Sequence, residues 1–403
     1  MHLNFKKIAT AVSATAATFA MSAAFSITAE ALDAPVITGQ TGTYGNYVSF
    51  QWNPVNGANK YVTRYSYDGG ATWINESGST SRPNNTIYRL NAGGSYLVQV
   101  ASTTYDGQQS PWSAPFEVVT IPSDDNIVTN STALQTGATV NSATFNWGAA
   151  PGATGYRIYT RESNGQYTLI GSTDATSFTA TGLTPDTRYK FYVSPFKQSA
   201  SGYIAEHNNY FPYVHVTTLA KAPSVKADAS YSITNASFVL PATNADGYRV
   251  RFYNQKGKLI TEKFKNGPSS YEASVHPGKS VCNYGVYRKV KVASYLTLNN
   301  KKVYSKTTTK SFIFQPKVNL KQKTGMLAIS WKKVPKATKY EVYVSYNKND
   351  GYKKVATLSN KKTSYTLKKF RSSKISNNKT YYVYVKPIAK GATSVCTTCW
   401  YQL

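Results

Sequence analysis

One sequence motif recurs four times along the chain, at a spacing of slightly more than ninety residues. An apolar position opens each copy and a tyrosine follows eight or nine residues later, which gives the pairs Trp52 and Tyr61, Trp147 and Tyr156, Leu240 and Tyr248, and Trp331 and Tyr340. A repeat of this length is a whole small domain, because one turn of a solenoid is much shorter. The spacing therefore predicts a tandem array of similar domains.

Within each copy the apolar residues alternate with polar ones. Val48, Phe50 and Trp52 alternate with Ser49 and Gln51, and a later run of the same kind begins at each of Tyr96, Tyr189 and Tyr381. Successive side chains of a strand point to opposite faces, so this period of two indicates strands with one buried face. Helical periodicity is absent, and Gly, Asn, Pro and Asp separate the runs. The pattern predicts an all-β chain of sandwiches.

The copies resemble fibronectin type III domains. The heptapeptide "LTPDTRY", from Leu183 to Tyr189, is similar to the family's element before its sixth strand, and the tryptophan and tyrosine positions agree as well. The resemblance implies seven-stranded, immunoglobulin-like sandwiches with a structural core at Trp52, Tyr61, Tyr96, Trp147, Tyr156, Tyr189, Tyr248, Trp331, Tyr340 and Tyr381. The third copy departs from the pattern, because Leu240 replaces the tryptophan and Arg288 stands where the alternation expects a tyrosine.

We expect four tandem fibronectin type III domains behind a cleaved leader. The boundaries follow from the repeat and define repeat 1 (32–121), repeat 2 (122–219), a divergent and basic repeat 3 (220–316) and a strongly basic repeat 4 (317–403). The first 31 residues resemble a signal peptide, with basic residues, an apolar run and Ala29-Glu30-Ala31 as the cleavage site. A membrane anchor is the alternative, but the run is rich in Ala, Ser and Thr, and no later stretch is apolar enough to span a bilayer. The leader predicts a secreted bacterial protein, extracellular or loosely associated with the cell wall, and we expect it to be a monomer.

Catalytic and metal-binding patterns are missing from the sequence. The mature chain has three histidines and lacks a nucleophile elbow, a phosphate-binding glycine loop and a zinc-protease motif. The segment from Ser66 to Trp73 resembles the Asp-box, which is a turn motif. Cys396 and Cys399 have redox or zinc spacing without a second pair, so a small buried or disulfide-bonded pair is the favoured interpretation. We therefore predict no enzyme activity, no metal and no cofactor.

The net charge of +28 is concentrated in the second half of the chain. Repeats 1 and 2 are each close to neutral, whereas repeat 3 carries sixteen basic against four acidic residues and repeat 4 nineteen against two. Such a field attracts polyanions, although a solubilising surface is the alternative. We predict an anionic polymer, such as a teichoic acid or an acidic glycan, as the partner of Lys332, Lys333, Lys353, Lys354, Lys361, Lys362, Lys368, Lys369, Arg371 and Lys374. Lysine dominates over arginine in repeat 4, which favours diffuse attachment over specific reading of nucleic acid.

Three tyrosines are candidates for stacking on sugar rings. Tyr67, Tyr167 and Tyr352 are predicted at hairpin tips or outward strand positions, where aromatic rings either stack on carbohydrate or cover sheet edges and domain contacts. The sequence as a whole predicts a non-enzymatic adhesion protein, with basic repeats attaching to an anionic surface polymer and neutral repeats presenting a binding face. The alternative is a spacer or carbohydrate-binding accessory subunit of an extracellular polysaccharide-degrading system.

Overall fold

The structure, a computed structural model, describes residues 31–127, 134–207, 211–267, 270–323 and 325–397. Within these ranges the regular elements are mainly β-strands, with a 3-10 turn at Ile233–Asn235. The predicted all-β fold of tandem sandwiches is confirmed. No helix in the described ranges is long and apolar enough to cross a membrane. The predicted signal peptide, except its last residue, and Cys399 lie outside the described residues.

The described backbone packs into two compact units, and the first comprises the described residues up to Gly39, Phe50–Asn85 and Leu97–Phe116. The strands of repeat 1 are β1 (Ile37–Thr43), β2 (Tyr47–Trp52), β3 (Lys60–Ser66), β4 (Ile74–Asn75), β5 (Asn84–Tyr88), β6 (Ser95–Thr103) and β7 (Phe116–Val119). In the first unit β3 runs antiparallel to both β4 and β6. The rings of Trp52 and Tyr61 meet edge to face with centroids 5.3 Å apart. The alternating pattern of the sequence therefore places its large side chains on the inner face.

The second unit comprises Gln40–Ser49, Thr86–Tyr96 and the described residues from Glu117 onwards. Its strands in repeat 2 are β8 (Gln135–Ala138), β9 (Ser142–Asn146), β10 (Gly155–Arg161), β11 (Tyr167–Thr173), β12 (Ser177–Thr181), β13 (Arg188–Gln198), β14 (Ile204–Glu206) and β15 (Tyr213–Thr217). One sheet has the order β12-β9-β8, and the other has the order β11-β10-β13-β14 with β15 also paired to β13. Phe145, Trp147, Tyr156 and Phe191 lie in the core of this repeat.

Repeat 3 has the same plan with a larger second sheet. Its strands are β16 (Lys226–Asp228), β17 (Ser237–Leu240), β18 (Gly247–Tyr253), β19 (Leu259–Asn266), β20 (Ala273–Val275), β21 (Tyr287–Leu298), β22 (Lys301–Tyr304) and β23 (Thr308–Phe314). The small sheet has the order β16-β17-β20, and the large one contains β19-β18-β21-β23 with β22 paired to β21. Leu240 is fully buried in the core, at the position that holds tryptophan in the other repeats.

Repeat 4 completes the chain with nine strands. They are β24 (Val318–Lys323), β25 (Met326–Trp331), β26 (Lys339–Ser345), β27 (Lys353–Ser359), β28 (Ser364–Leu367), β29 (Lys369–Phe370), β30 (Ser373–Lys374), β31 (Tyr382–Ile388) and β32 (Ala392–Val395). Three sheets have the orders β24-β25-β28, β27-β26-β31 and β29-β30. The last strand leaves its own repeat and pairs parallel with β23, from Ser311↔Ala392 to Phe314↔Val395. The large sheet of repeat 3 is therefore closed by a strand of repeat 4.

The shared sheet also joins two hydrophobic cores. Phe312 and Phe314 of β23 point into the core of repeat 3, and Val395 of β32 joins them there. Ile313, between the two phenylalanines, lies in the core of repeat 4. This alternation follows from the period of two along a strand. The edge of repeat 3 thus depends on side chains encoded more than eighty residues further along.

A residue at the start of each late strand fixes the preceding loop. The hydroxyl oxygens of Tyr96, Tyr189 and Tyr381 each accept a hydrogen bond from a backbone N–H five residues earlier, at 2.7 to 3.1 Å. In repeat 3 the buried Arg288 has this position and donates instead, from Nε to the Val281 carbonyl at 2.8 Å and from Nη2 to the Ser280 carbonyl at 3.2 Å. Burial lowers the pKa of Arg288 below its ordinary value. The departure in sequence is therefore matched by a reversed hydrogen bond.

Candidate functional site

The ten residues expected in the cores lie in the strands or one residue beyond a strand end. Nine of them are buried, and Tyr189 is half-buried at the edge of the core of repeat 2. Three of the tyrosines, Tyr61, Tyr156 and Tyr340, accept a hydrogen bond from the backbone N–H six residues earlier, at 2.7 to 2.9 Å. Tyr248 instead donates to the carbonyl of Pro241 at 2.6 Å. These side chains have a local structural partner in each repeat.

No three His, Cys, Asp or Glu side chains among the described residues are grouped so that they could hold a metal ion. Cys282 is a buried free thiol, and burial raises its pKa to about 12. Cys396 is a half-buried free thiol whose pKa burial also raises to about 12. A thiol with a raised pKa is a poor nucleophile at neutral pH.

The Asp-box segment forms a tight turn after β3. The Asp68 carboxylate accepts hydrogen bonds from the backbone N–H and the hydroxyl of Thr72 and from the Ser66 hydroxyl, at 2.6 to 2.9 Å. These hydrogen bonds lower the pKa of Asp68 to about 2, and the bond from the Thr72 hydroxyl makes the largest contribution. Beyond the turn, the Arg64 guanidinium lies between the rings of Trp73 and Trp112, at 4.7 and 4.2 Å from their centroids. The polar side chains of the motif thus form hydrogen bonds with one another within the turn.

The ten basic residues predicted in repeat 4 are all exposed, but they form two groups. Lys332, Lys333, Lys361 and Lys362 lie together, because the Trp331 N–H bonds to the Thr363 carbonyl at 2.9 Å. The second group comprises Lys353, Lys354, Lys368, Lys369, Arg371 and Lys374. Arg371 Nη2 donates to the Gly351 carbonyl at 2.9 Å, which joins the β29-β30 hairpin to the loop before β27.

The two groups lie at opposite ends of repeat 4. In the antiparallel register of β26 and β27, Lys339 pairs with Ser359 at one end and Val344 with Lys353 at the other. A strand of this length spans about 20 Å. At physiological ionic strength that distance exceeds the screening length of about 8 Å, so the groups act as separate charge clusters. A long polymer can contact both, whereas a small ion contacts only one.

The three candidate sugar-stacking tyrosines have different surroundings. Tyr67 follows β3 and is 63% exposed. Tyr167 is half-buried, with ring centroids 5.0 Å from Tyr192 and 4.8 Å from Phe211. Tyr352 is also half-buried and lies 5.1 Å from the ring of Tyr384. Of the three, Tyr67 offers the most exposed ring surface.

The outer face of the large sheet in repeat 3 carries a cluster of cations that the sequence analysis did not single out. We call it the cationic face and define it by the outward side chains of β18, β21 and β23 together with Thr307. A pocket of about 180 Å³ lies in it, lined by Arg249, Arg251, Lys291, Ala293, Thr307 and Thr309. The register sets Arg251 opposite Lys291, and Lys291 opposite Thr309. On its other side Arg251 is paired with Glu262 of β19, so one row across the sheet holds a carboxylate, two cations and a hydroxyl in that order.

Aromatic rings and one carboxylate orient these cations. The Arg249 guanidinium lies 3.6 Å from the ring centroid of Tyr304, and the Lys291 ammonium lies 5.4 Å from that of Tyr253. Glu262 pairs with Arg251 at 2.5 Å and with Arg249 at 3.8 Å. Cation–π contacts of this kind fix the plane of a guanidinium without neutralising it. The face keeps an excess of positive charge in a defined geometry.

A sequence signal for this face existed. In "YRVRFY" and "YRKVKVAS" the basic residues Arg249, Arg251, Lys289 and Lys291 alternate with the buried residues of β18 and β21. The period of two places these four side chains on one outward face. The register between the strands decides which of these side chains are neighbours, and the sequence of either strand alone does not determine that register.

A second cavity, a cleft of about 630 Å³, lies where repeat 2 meets repeat 3. Its lining includes Arg188, Lys190 and His215 from repeat 2 and Asp246, Leu296 and Leu298 from repeat 3. The two sides are fixed by hydrogen bonds from the Thr243 hydroxyl and the Asn244 N–H to the Asp186 carboxylate, at 2.7 and 2.9 Å. Clefts of this size between domains are common ligand sites.

Comparison with protein families agrees with the fold described for repeat 2. The family model described as "Fibronectin type III domain" matches residues 128–207, which confirms the resemblance for repeat 2. Similar solved structures include the chicken CNTN1 FN1-FN3 domains, at 12% identity over 70% of this chain and 99% of that chain, with a TM-score of 0.26. A two-domain fibronectin type III segment from chicken tenascin is 17% identical over 46% of this chain and 100% of that chain, with a TM-score of 0.25. A domain of the human fibronectin type III domain containing protein 3 is 18% identical over 25% and 95%, with a TM-score of 0.22.

Proposed function

We propose that this chain is a secreted, non-enzymatic binding protein of four tandem fibronectin type III domains, in which repeats 3 and 4 attach to an anionic polymer. The observation that carries the proposal is the cationic face, where Arg251 and Lys291 stand opposite each other on neighbouring strands. The two lysine clusters of repeat 4 provide further, separate contacts for a long polymer. The nearly neutral repeats 1 and 2 remain available to present a binding face.

Attachment to a polymer suits this distribution of charge. A polyanion that contacts several clusters releases its condensed counterions, which makes binding strong at low salt and weak at high salt. Lysine ammonium groups are mobile point charges and tolerate an irregular spacing of phosphates or carboxylates. An exported protein meets such polymers as teichoic acids in cell walls and as acidic glycans on surfaces.

The test is retention of the mature full-length chain on immobilised teichoic acid across a salt series. We expect binding at low salt, with the logarithm of the binding constant falling linearly with the logarithm of salt concentration. Replacing Lys332, Lys333, Lys361 and Lys362 by glutamine should reduce the slope by roughly 0.7 to 0.9 for each phosphate that a lysine no longer neutralises. Retention at low salt no better than that of an uncharged matrix would refute the proposal.

The cleft between repeats 2 and 3 supports a second candidate function, carbohydrate binding by an accessory subunit. Arg188 and Lys190 line the cleft, where they would pair with an acidic substituent of a sugar. Titrating isotope-labelled protein with neutral and acidic oligosaccharides tests this function. Amide shifts confined to the cleft would support it, whereas unchanged spectra would favour the spacer role.

A further inference from the structure

The pocket on the cationic face contains an electrostatic conflict. Arg251 and Lys291 are direct cross-strand partners, an arrangement of like charges that destabilises a sheet. Glu262 offsets the two arginines, but no carboxylate of the described residues forms an ion pair with Lys291. Proteins retain such local violations mainly at functional sites. A bound anion would remove the conflict.

The pocket has the size and the donors for a small anion. Ala293 is buried and short, so it leaves a depression between Arg249 and Lys291. Thr307 and Thr309 contribute exposed hydroxyl groups at the rim. The volume of about 180 Å³ is ample for one anionic group together with bound water.

The donor set favours a tetrahedral oxyanion over a carboxylate. Two guanidinium groups, one ammonium and two hydroxyls line the pocket, and a planar carboxylate has only two oxygens to offer so many donors. The Tyr304 ring and Glu262 hold the arginines in place before any ligand arrives. We infer that this pocket seats one tetrahedral oxyanion, a phosphate or sulfate ester group. As a site for a polymer's ester, the inference rests on the proposed function, but the pocket itself can be tested with free ions.

The experiment compares two adjacent rows of the same sheet. Lys291→Gln and Thr309→Val change the pocket row, and Lys289→Gln and Ser311→Ala change the next row, where Lys289 and Ser311 are paired in the same register. Full-length protein is tested against heparin, a phosphate-backbone teichoic acid and hyaluronan, a carboxylate polymer. We expect Lys291→Gln to weaken binding of an ester polymer roughly tenfold, because one hydrogen bond from a charged donor is lost. We expect Thr309→Val to weaken it roughly fivefold, because one neutral hydrogen bond is lost. The control row should change it about twofold or less, as an exposed charge does.

The three polymers and the two rows of variants distinguish failure of the pocket from failure of polymer attachment. A larger loss on heparin assigns a sulfate ester, and a larger loss on teichoic acid assigns a phosphate ester. Equal losses in both rows, or an equal loss on hyaluronan, would overturn the inference while leaving polymer attachment intact. If the unmodified chain binds none of the polymers, the proposed function fails. Inorganic phosphate and sulfate are then titrated into labelled protein, and the pocket is refuted if the Lys291 and Ala293 amides do not shift.

Discussion

Replacing Val395 by alanine should destabilise repeat 3, although this residue belongs to repeat 4 in sequence. Its side chain is 4% exposed and packs in the core of repeat 3 with Phe312 and Phe314. Removing two carbon atoms forfeits about 1.6 kcal/mol of transfer free energy. The cavity left behind adds to this cost, so we expect a loss of about 2 to 3 kcal/mol in the free energy of unfolding.

Hydrogen exchange of the full-length chain, read by mass spectrometry, locates the loss. A destabilisation of about 2 kcal/mol corresponds to a roughly 30-fold lower protection of the amides that exchange by global opening. We expect this loss in peptides from β18 and β21. Val385→Ala is the matched control, because Val385 is fully buried in the core of repeat 4 and lies in its own strand β31. The control should lower protection in β26 and β31.

The reciprocal variant is Ile313→Ala, which removes a buried side chain from the core of repeat 4 by a change in repeat 3. It should resemble Val385→Ala in the peptides that it affects, with a loss of about 2 to 5 kcal/mol. The reasoning is refuted if Val395→Ala leaves the protection of β18 and β21 unchanged. In that case β32 would not contribute to the stability of repeat 3.

Three further predictions address single features. Arg288→Met leaves the carbonyls of Val281 and Ser280 without their buried donor, so urea unfolding should show repeat 3 weakened by about 2 to 3 kcal/mol; an unchanged midpoint would contradict this. The hydrogen bonds that lower the pKa of Asp68 stabilise the turn at pH values above the ordinary value of 3.8, and this contribution disappears as the pH falls through about 2. The Thr72 amide resonance should follow that titration, and Asp68→Asn should abolish it. Expression with the leader in a secreting host should yield a product that begins at Leu32, and intact Met1 in the medium would contradict this.

The sequence was sufficient for the central strands because one face of each is buried. Alternation at Val48, Phe50 and Trp52 predicts β2, and the same period places Arg288 on the inner face of β21. The parallel pair of β23 and β32 was not predictable in this way, because its partners are about eighty residues apart and either strand reads as an ordinary late strand. Pairings between distant segments depend on the packing of whole domains, which no local pattern records.

The candidate site was only partly predictable for the same reason, because its composition is a local property whereas its geometry depends on the pairing of strands. Counting lysines identified repeat 4, and on the proposed function that density sets how strongly salt weakens binding and how fast a polymer is captured. The density of lysines says little about which polyanion is preferred, because the clusters at the two ends of β26 are separate and exposed. Preference requires donors at fixed positions, and the pocket in repeat 3 has them because the register brings Arg251, Lys291 and Thr309 into one row. Variants in repeat 4 should therefore change affinity for every polyanion alike, whereas variants in the pocket should change the order in which polyanions are preferred.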